Sequence, residues 1–263
     1  MAAQKVAIDS TRRSAPQILE QVAKNGREEL GRSSHALAFS GVAGGMTMGL
    51  TGMSVAIIQA TLGPERTAEF VAHLMYPLGF IAVIIGRAQL FTENTLYPVI
   101  LVLDDRRHLP NMLRLWTIVF GSNILGAFLF ALLAERTSAL RPEYAQELVK
   151  LGITALGNST AHIFWSGVIG GWLIALVAWM VSASHWTIGQ IAIVWMVTFI
   201  VGLGHFAHCI ATSGEILAAV CAGQAAAGAY AHWILFATLG NIVGGVTIVS
   251  LLNYGQVKAG EPE

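Results

Sequence analysis

The sequence predicts an all-α integral membrane protein of six transmembrane helices. These form two inverted three-helix repeats, with helices two and five interrupted. The mean hydropathy is +0.63 and only 11% of the 263 residues are charged, against roughly 25% in soluble domains. The apolar part is also written twice. Ser40-Gly-Val-Ala-Gly-Gly45 returns as Ser166-Gly-Val-Ile-Gly-Gly171, and Ser122-Asn-Ile-Leu-Gly-Ala127 returns as Gly240-Asn-Ile-Val-Gly-Gly245. Finally, two apolar runs are broken by polar and glycine-rich stretches, Gly86 to Asn94 and Gly202 to Glu215. Three spans per copy is an odd number, so the second copy enters the bilayer from the opposite face. Inverted repeats with broken helices belong to channels and secondary transporters.

The elements follow in order. Residues 1–33 are polar and mixed in charge, with no apolar signal segment, and read as a cytoplasmic tail. Within them Ile18, Val22 and Leu30 mark a short amphipathic helix after Pro16. The first repeat occupies residues 34–134, with spans near 34–60, 70–103 and 112–134, each long enough for the roughly 20 apolar residues a crossing needs. Gly63-Pro64-Glu65-Arg66 is the first turn, and Asp104-Asp-Arg-Arg-His108 caps the second span with charge. Residues 135–158 form a polar, extracytoplasmic linker. The second repeat, 159–253, holds spans near 160–182, 189–220 and 231–253, and residues 254–263 are a short cytoplasmic tail.

Six spans put both termini on one side. Lys5, Arg12, Arg13, Lys24, Arg27, Arg32, Arg106, Arg107, Arg114 and Lys258 fall on that side, against Arg66, Arg136, Arg141 and Lys150 on the other. The positive-inside rule makes the richer side cytoplasmic. A formal net charge of zero gives no reason to expect nucleic acid. Cys209 and Cys221 sit in apolar segments without a CxxC spacing and read as small core residues.

Unwound backbone survives at membrane depth only when buried in protein or lining a wet cavity, so the two breaks are where a pathway belongs. Asn123 and Asn241 are 118 residues apart, and the same shift carries Leu90-Phe-Thr92 onto His208-Cys-Ile210. Thr92 and His208 are therefore expected to face each other near the pseudo-two-fold axis.

Ala88-Gln-Leu-Phe-Thr92, Phe206-Ala-His-Cys-Ile-Ala211 and the two Asn-Ile-containing stretches resemble the boxes of the formate/nitrite transporter family, over residues 15 to 253. The resemblance implies aquaporin-like protomers in a homopentamer of a bacterial inner membrane, each with its own pore and no cofactor. It also implies a central histidine bonded to a loop threonine between apolar constrictions. Carried over, these are His208 and Thr92, with Tyr76, Phe80, Leu90, Phe91 and Val201 as constrictions and Cys209 and Thr212 beside the pathway. The chain departs from the family pattern at several positions. Ala207 stands where glutamate is usual, Thr212 where asparagine is usual, and Gln89 where an acid is usual. Arg87 takes a small-residue position, and Ala155 and Gly171 stand in for a lysine and an asparagine near the pore.

An ionisable residue at membrane depth is a functional candidate by default, which singles out His208 and Arg87. Arg87, Glu93, Glu215 and His205 are the charges expected beside the pore. Arg87 is expected to be buried against Glu215, or else Glu93, pinning the two breaks together. His205 falls three residues before His208, on the same face if that stretch is helical. His205, His208 and Cys209 lack a fourth metal ligand at a suitable spacing. The expected permeants are small monovalent anions or their conjugate acids, such as formate, nitrite, acetate or hydrosulfide, moving passively or linked to protons, with His208 expected to lend or steer a proton. A neutral-solute channel is opposed by the absence of paired Asn-Pro-Ala boxes. A non-transporting protein, plugged by Arg87, is the other rival. No catalytic triad or cofactor motif is present, so an enzyme is not expected.

Overall fold

A computed structural model describes residues 13–260. The first residues of the tail, with Lys5 and Arg12, lie outside that range. Helix α1 (Ala15–Gly31) starts where Ser14 N–H donates to Gln17 Oε1 at 2.8 Å. It buries Val22, Gly26 and Leu30, one stripe spaced by four residues, against α5 (Tyr97–Asp104). Its C-terminal carbonyls are capped from α6 (Leu109–Arg136), where Arg114 Nη2 donates to Leu30 O at 2.8 Å and Arg32 O at 3.2 Å.

Among the described residues five helical stretches are long and apolar enough to cross a membrane by length and composition: Ser34–Leu62, Arg66–Ile85, Arg106–Arg136, Thr160–Ala183 and Ala227–Lys258. The second divides at Tyr76 into α3 (Arg66–His73) and α4 (Pro77–Ile85). The chain then unwinds and returns through a 3-10 turn, Glu93–Thr95, to α5. The fifth traverse of the sequence reading is split between α9 (Thr187–Leu203) and α10 (Ala211–Cys221), each too short to cross alone. The polar and glycine-rich stretch that marks this break in the sequence extends to Glu215, and Ala211-Thr-Ser-Gly-Glu215 is a poor helix former. Instead Ser213 Oγ bonds back to Cys209 O and the segment is buried, so packing overrides propensity.

The linker also differs from expectation: most of it is α7 (Pro142–Leu156), which buries Leu148, Val149 and Gly152 against α10 and α2 (Ser34–Leu62). Pro142 at the first turn and acidic Glu143 are ordinary start signals. The last span runs from α11 (Ala227–Val243) through a π-helical stretch, Gly244–Leu251, into α12 (Leu252–Lys258). There Ser250 Oγ reaches across to Thr95 O at 2.8 Å.

The repeat is visible in the packing. Helix α2 lies on α6 as α8 (Thr160–Ala183) lies on α11. Gly45 faces the Asn123 carbonyl so closely that a Cβ would come within 2.0 Å of the oxygen, and Gly171 faces Asn241 O at 2.2 Å in the same sense. Only glycine permits either crossing.

Candidate functional site

Each break begins with the same backbone device. Helices α4 and α9 end in residues of positive φ, Arg87 at 59° and His205 at 50°. Ala88 N–H then returns to Val83 O and Phe206 N–H to Val201 O, closing the same helix-terminating loop twice. A left-handed non-glycine residue costs roughly 1–2 kcal/mol, so the identical choice at equivalent positions is a constraint of the architecture.

One asparagine then clamps each break. Asn123 Nδ2 donates to Gly41 O at 2.8 Å and Gln89 O at 2.9 Å, and its Oδ1 accepts from Phe91 N–H at 2.9 Å. Asn241 Nδ2 donates to Gly167 O and Ala207 O, both at 2.8 Å, and its Oδ1 accepts from Cys209 N–H at 2.9 Å. A side-chain amide is the one neutral group that can donate twice and accept at the same spot.

Between the clamps lies the centre. Thr92 and His208 are fully buried, with Thr92 Oγ1 2.8 Å from His208 Nε2. The backbone N–H groups of Ala211 and Ile210, at the start of α10, point at His208 Nδ1 at 3.0 and 3.3 Å. Two donors make Nδ1 an acceptor, so Nε2 carries the ring hydrogen and donates it to Thr92. The threonine hydroxyl hydrogen stays available to a third party. Phe80 stands edge-on to the imidazole at 5.0 Å, and Tyr76 continues that row at 5.8 Å from Phe80. Leu90, the repeat equivalent of His208, is buried beside Phe91, whose ring packs on Trp116 and Phe120 of α6.

Two cavities open away from this centre. One, of about 360 Å³, is lined by Tyr76, Val201, Thr212, Glu215 and His205, and by His162 and Ser166 at the start of α8. The other, of about 320 Å³, is lined by Glu29, Arg87, Gln89 and Glu93, and by Val181 and Ser182 near the end of α8. Ser166 and Val181 are about 22 Å apart along that helix at its rise of ~1.5 Å per residue. Arg87 and His205, equivalent in the repeats, thus serve opposite mouths, as inversion requires.

The expected Arg87 pair is absent. Arg87 is exposed at its cavity mouth, and among the described residues it forms no ion pair with Glu93 or Glu215. The left-handed turn swings it outward, and Glu215 belongs to the opposite cavity. Nor does His205 share a helical face with His208, because residues 204–210 are not helical. His205 is exposed and its Nε2 lies 3.1 Å from Glu69 Oε1. Cys209 is buried and lines neither cavity, whereas Thr212 and Val201 line the larger one. Three features escaped sequence reasoning: the Glu69–His205 pair, the capping of His208 Nδ1, and the bond from Gln89 Nε2 to Glu29 Oε2 at 2.7 Å. Spacing offers no signal for the first and last, which join separate elements.

Residues 16–255 match the family described as formate/nitrite transporter. The chain belongs to the formate/nitrite transporter family. It is 32% identical over 265 residues to the inner membrane protein YfdC of Escherichia coli (strain K12), covering 97% of this chain and 83% of that one. It is 30% identical over 207 residues to a probable formate transporter of Methanothermobacter thermautotrophicus, covering 72% and 75%. Among solved structures, an FNT family ion channel superposes with a TM-score of 0.79 at 19% identity, covering 94% of this chain and all of that one. A pentameric formate channel with formate bound gives 0.71 at 19% identity, covering 86% and 98%. This formate/nitrite transporter family member is therefore an integral membrane transport protein and not an enzyme.

Proposed function

We propose that the chain passes small monovalent weak acids, such as formic, nitrous, acetic or hydrosulfuric acid, through the Thr92–His208 centre in their neutral form. The observation that carries this reading is the buried 2.8 Å bond joining the two breaks between two open cavities. An anion entering a dry, apolar passage loses hydration that Phe80 and Leu90 cannot replace, at an idealised cost of tens of kcal/mol. A neutral acid avoids most of that cost. His208 then acts as a fixed donor that orients Thr92, and the Thr92 hydroxyl donates to the acid oxygen as it passes. Each molecule carries its own proton, so flux is proton-linked without any proton stored on the imidazole.

Tyr76, Phe80, Leu90 and Val201 are the constrictions in this reading, and Thr212 lines the approach. By analogy with the pentameric neighbour the assembly is a homopentamer, and by analogy with the YfdC relative it sits in an inner membrane. The excess of basic residues on the tail side supports a cytoplasmic position for both termini.

Uptake into proteoliposomes, measured across a panel of acids at two pH values, tests the proposal. Flux should track the neutral acid, falling about tenfold per pH unit above the acid's own pKa. Thr92→Val, which keeps shape and loses the hydroxyl, should lower it. Flux no greater than in empty liposomes for every acid, or flux that tracks the anion, would overturn the reading.

A further inference from the structure

The two cavities differ in charge. The one bounded by Arg87 mixes Arg13 and Arg87 with Glu28, Glu29 and Glu93. The larger, at the α7 end, has no lysine or arginine among its described lining residues; its carboxyl and imidazole side chains are Glu69 and Glu215, with His73, His162 and His205. Glu69 is engaged by His205 at 3.1 Å, and His73 Nδ1 lies 2.8 Å from Glu69 O. Glu215 is not engaged. Its side chain is more than nine-tenths buried, it lines the cavity, and among the described residues it has no hydrogen bond or ion pair.

Room for this carboxylate is built in. Gly52 of α2 lies against it, so a Cβ there would come within 2.6 Å of Glu215 Cγ and 3.0 Å of Oε1. Gly152 of α7 lies against the backbone of the same residue, where a Cβ would meet Glu215 O at 2.3 Å. Tyr76 and Trp233 are buried aromatics that line the same space. A lone buried carboxylate in a cavity whose wall includes aromatic and aliphatic side chains suits a cation with few hydration demands. A divalent metal would require several oxygen or nitrogen ligands, and among the described residues no group of three or more His, Cys, Asp or Glu is arranged to hold one.

We propose that Glu215, with Tyr76 and Trp233, forms a seat for a small monovalent ammonium cation in the α7-end cavity. The carboxylate accepts its N–H groups, and Tyr76 and Trp233 are part of the wall around it. This seat is independent of the weak-acid reading. It concerns equilibrium binding at one mouth, and it persists whether or not acid crosses the centre. Its occupancy also cancels the charge that an approaching anion would otherwise meet.

Equilibrium dialysis of radiolabelled methylammonium against the detergent-purified oligomer tests it, with N-methylglucamine as the background cation. Binding should saturate at one site per chain and be displaced by ammonium at lower concentration than by potassium. Glu215→Gln should raise Kd about tenfold or more. Glu143→Gln, which removes an exposed charge at the same end, should leave Kd unchanged. Glu215→Asp keeps the charge but withdraws it from the cavity, and should weaken binding by an intermediate factor even if the glutamine variant fails to assemble. Binding that does not saturate, or an affinity unchanged in both Glu215 variants, overturns the proposal.

Discussion

Asn123→Leu removes the amide that holds the first break while keeping a side chain of similar size. Three bonds vanish, and their costs differ. Gly41 O lies within α2 and keeps its helical partner, so its loss is small. Gln89 O and Phe91 N–H lie in the unwound segment and have no other partner among the described residues. Two orphaned buried groups at ~1–3 kcal/mol each give a loss of about 2–6 kcal/mol. Asn241→Leu strands Ala207 O and Cys209 N–H in the same way and should lose a similar amount. The two clamps share no partner, so the double variant should be additive within ~0.5 kcal/mol. Asn158→Leu, at an exposed helix end with two long bonds, is the control and should change stability by less than ~0.5 kcal/mol. Reversible unfolding of the detergent-solubilised protein, followed by circular dichroism against a denaturing detergent, reads all four. A loss below about 1 kcal/mol at either clamp would refute the reasoning.

Other expectations follow from the same geometry. Arg87→Gly should stabilise by about 1 kcal/mol, since it relieves a positive φ and breaks no ion pair; a loss of stability in the same denaturation assay would restore a structural role for the guanidinium. A cysteine at exposed Gln146 on α7 should react with an impermeant thiol reagent from outside intact cells, and the buried Cys209 and Cys221 give no background. Labelling only after lysis would reverse the orientation. In the loop before α6, the side-chain bond from Arg107 holds the Asp105 carboxyl down at about 2. A depressed carboxyl stabilises above its unfolded value and loses that contribution as pH falls toward 2. The Arg107 amide shift should therefore stay constant between pH 5 and 8 in a solution titration, and a transition in that window would contradict the pairing.

The fold was legible because hydropathy and repetition are local properties of the chain. Asn123 and Asn241 announced the repeat by position, yet their work as clamps depends on carbonyls contributed by other elements. The Thr92–His208 juxtaposition followed from the repeat shift alone. Arg87 misled because spacing gives depth along a helix, while a single left-handed residue decides which way the side chain leaves it. Helix α7 was missed because an amphipathic segment rich in Glu and Gln looks like a linker when hydropathy is the guide. Only its start signals and the Leu148, Val149 and Gly152 face marked it. The unpaired state of Glu215 had no signature, since the room for its side chain depends on Gly52 of another helix.

Each break is fixed by an asparagine of its own repeat, and the described bonds between repeats at the centre are few: Thr92 with His208, and Ser250 with Thr95. Each break is thus braced within its own repeat, while residues of both repeats line each mouth. A substitution at one clamp leaves the three bonds of the other intact. The duplicated frame thus holds its backbone twice in the same way while its two mouths carry different side chains, one free of arginine among the described lining residues and one of mixed charge.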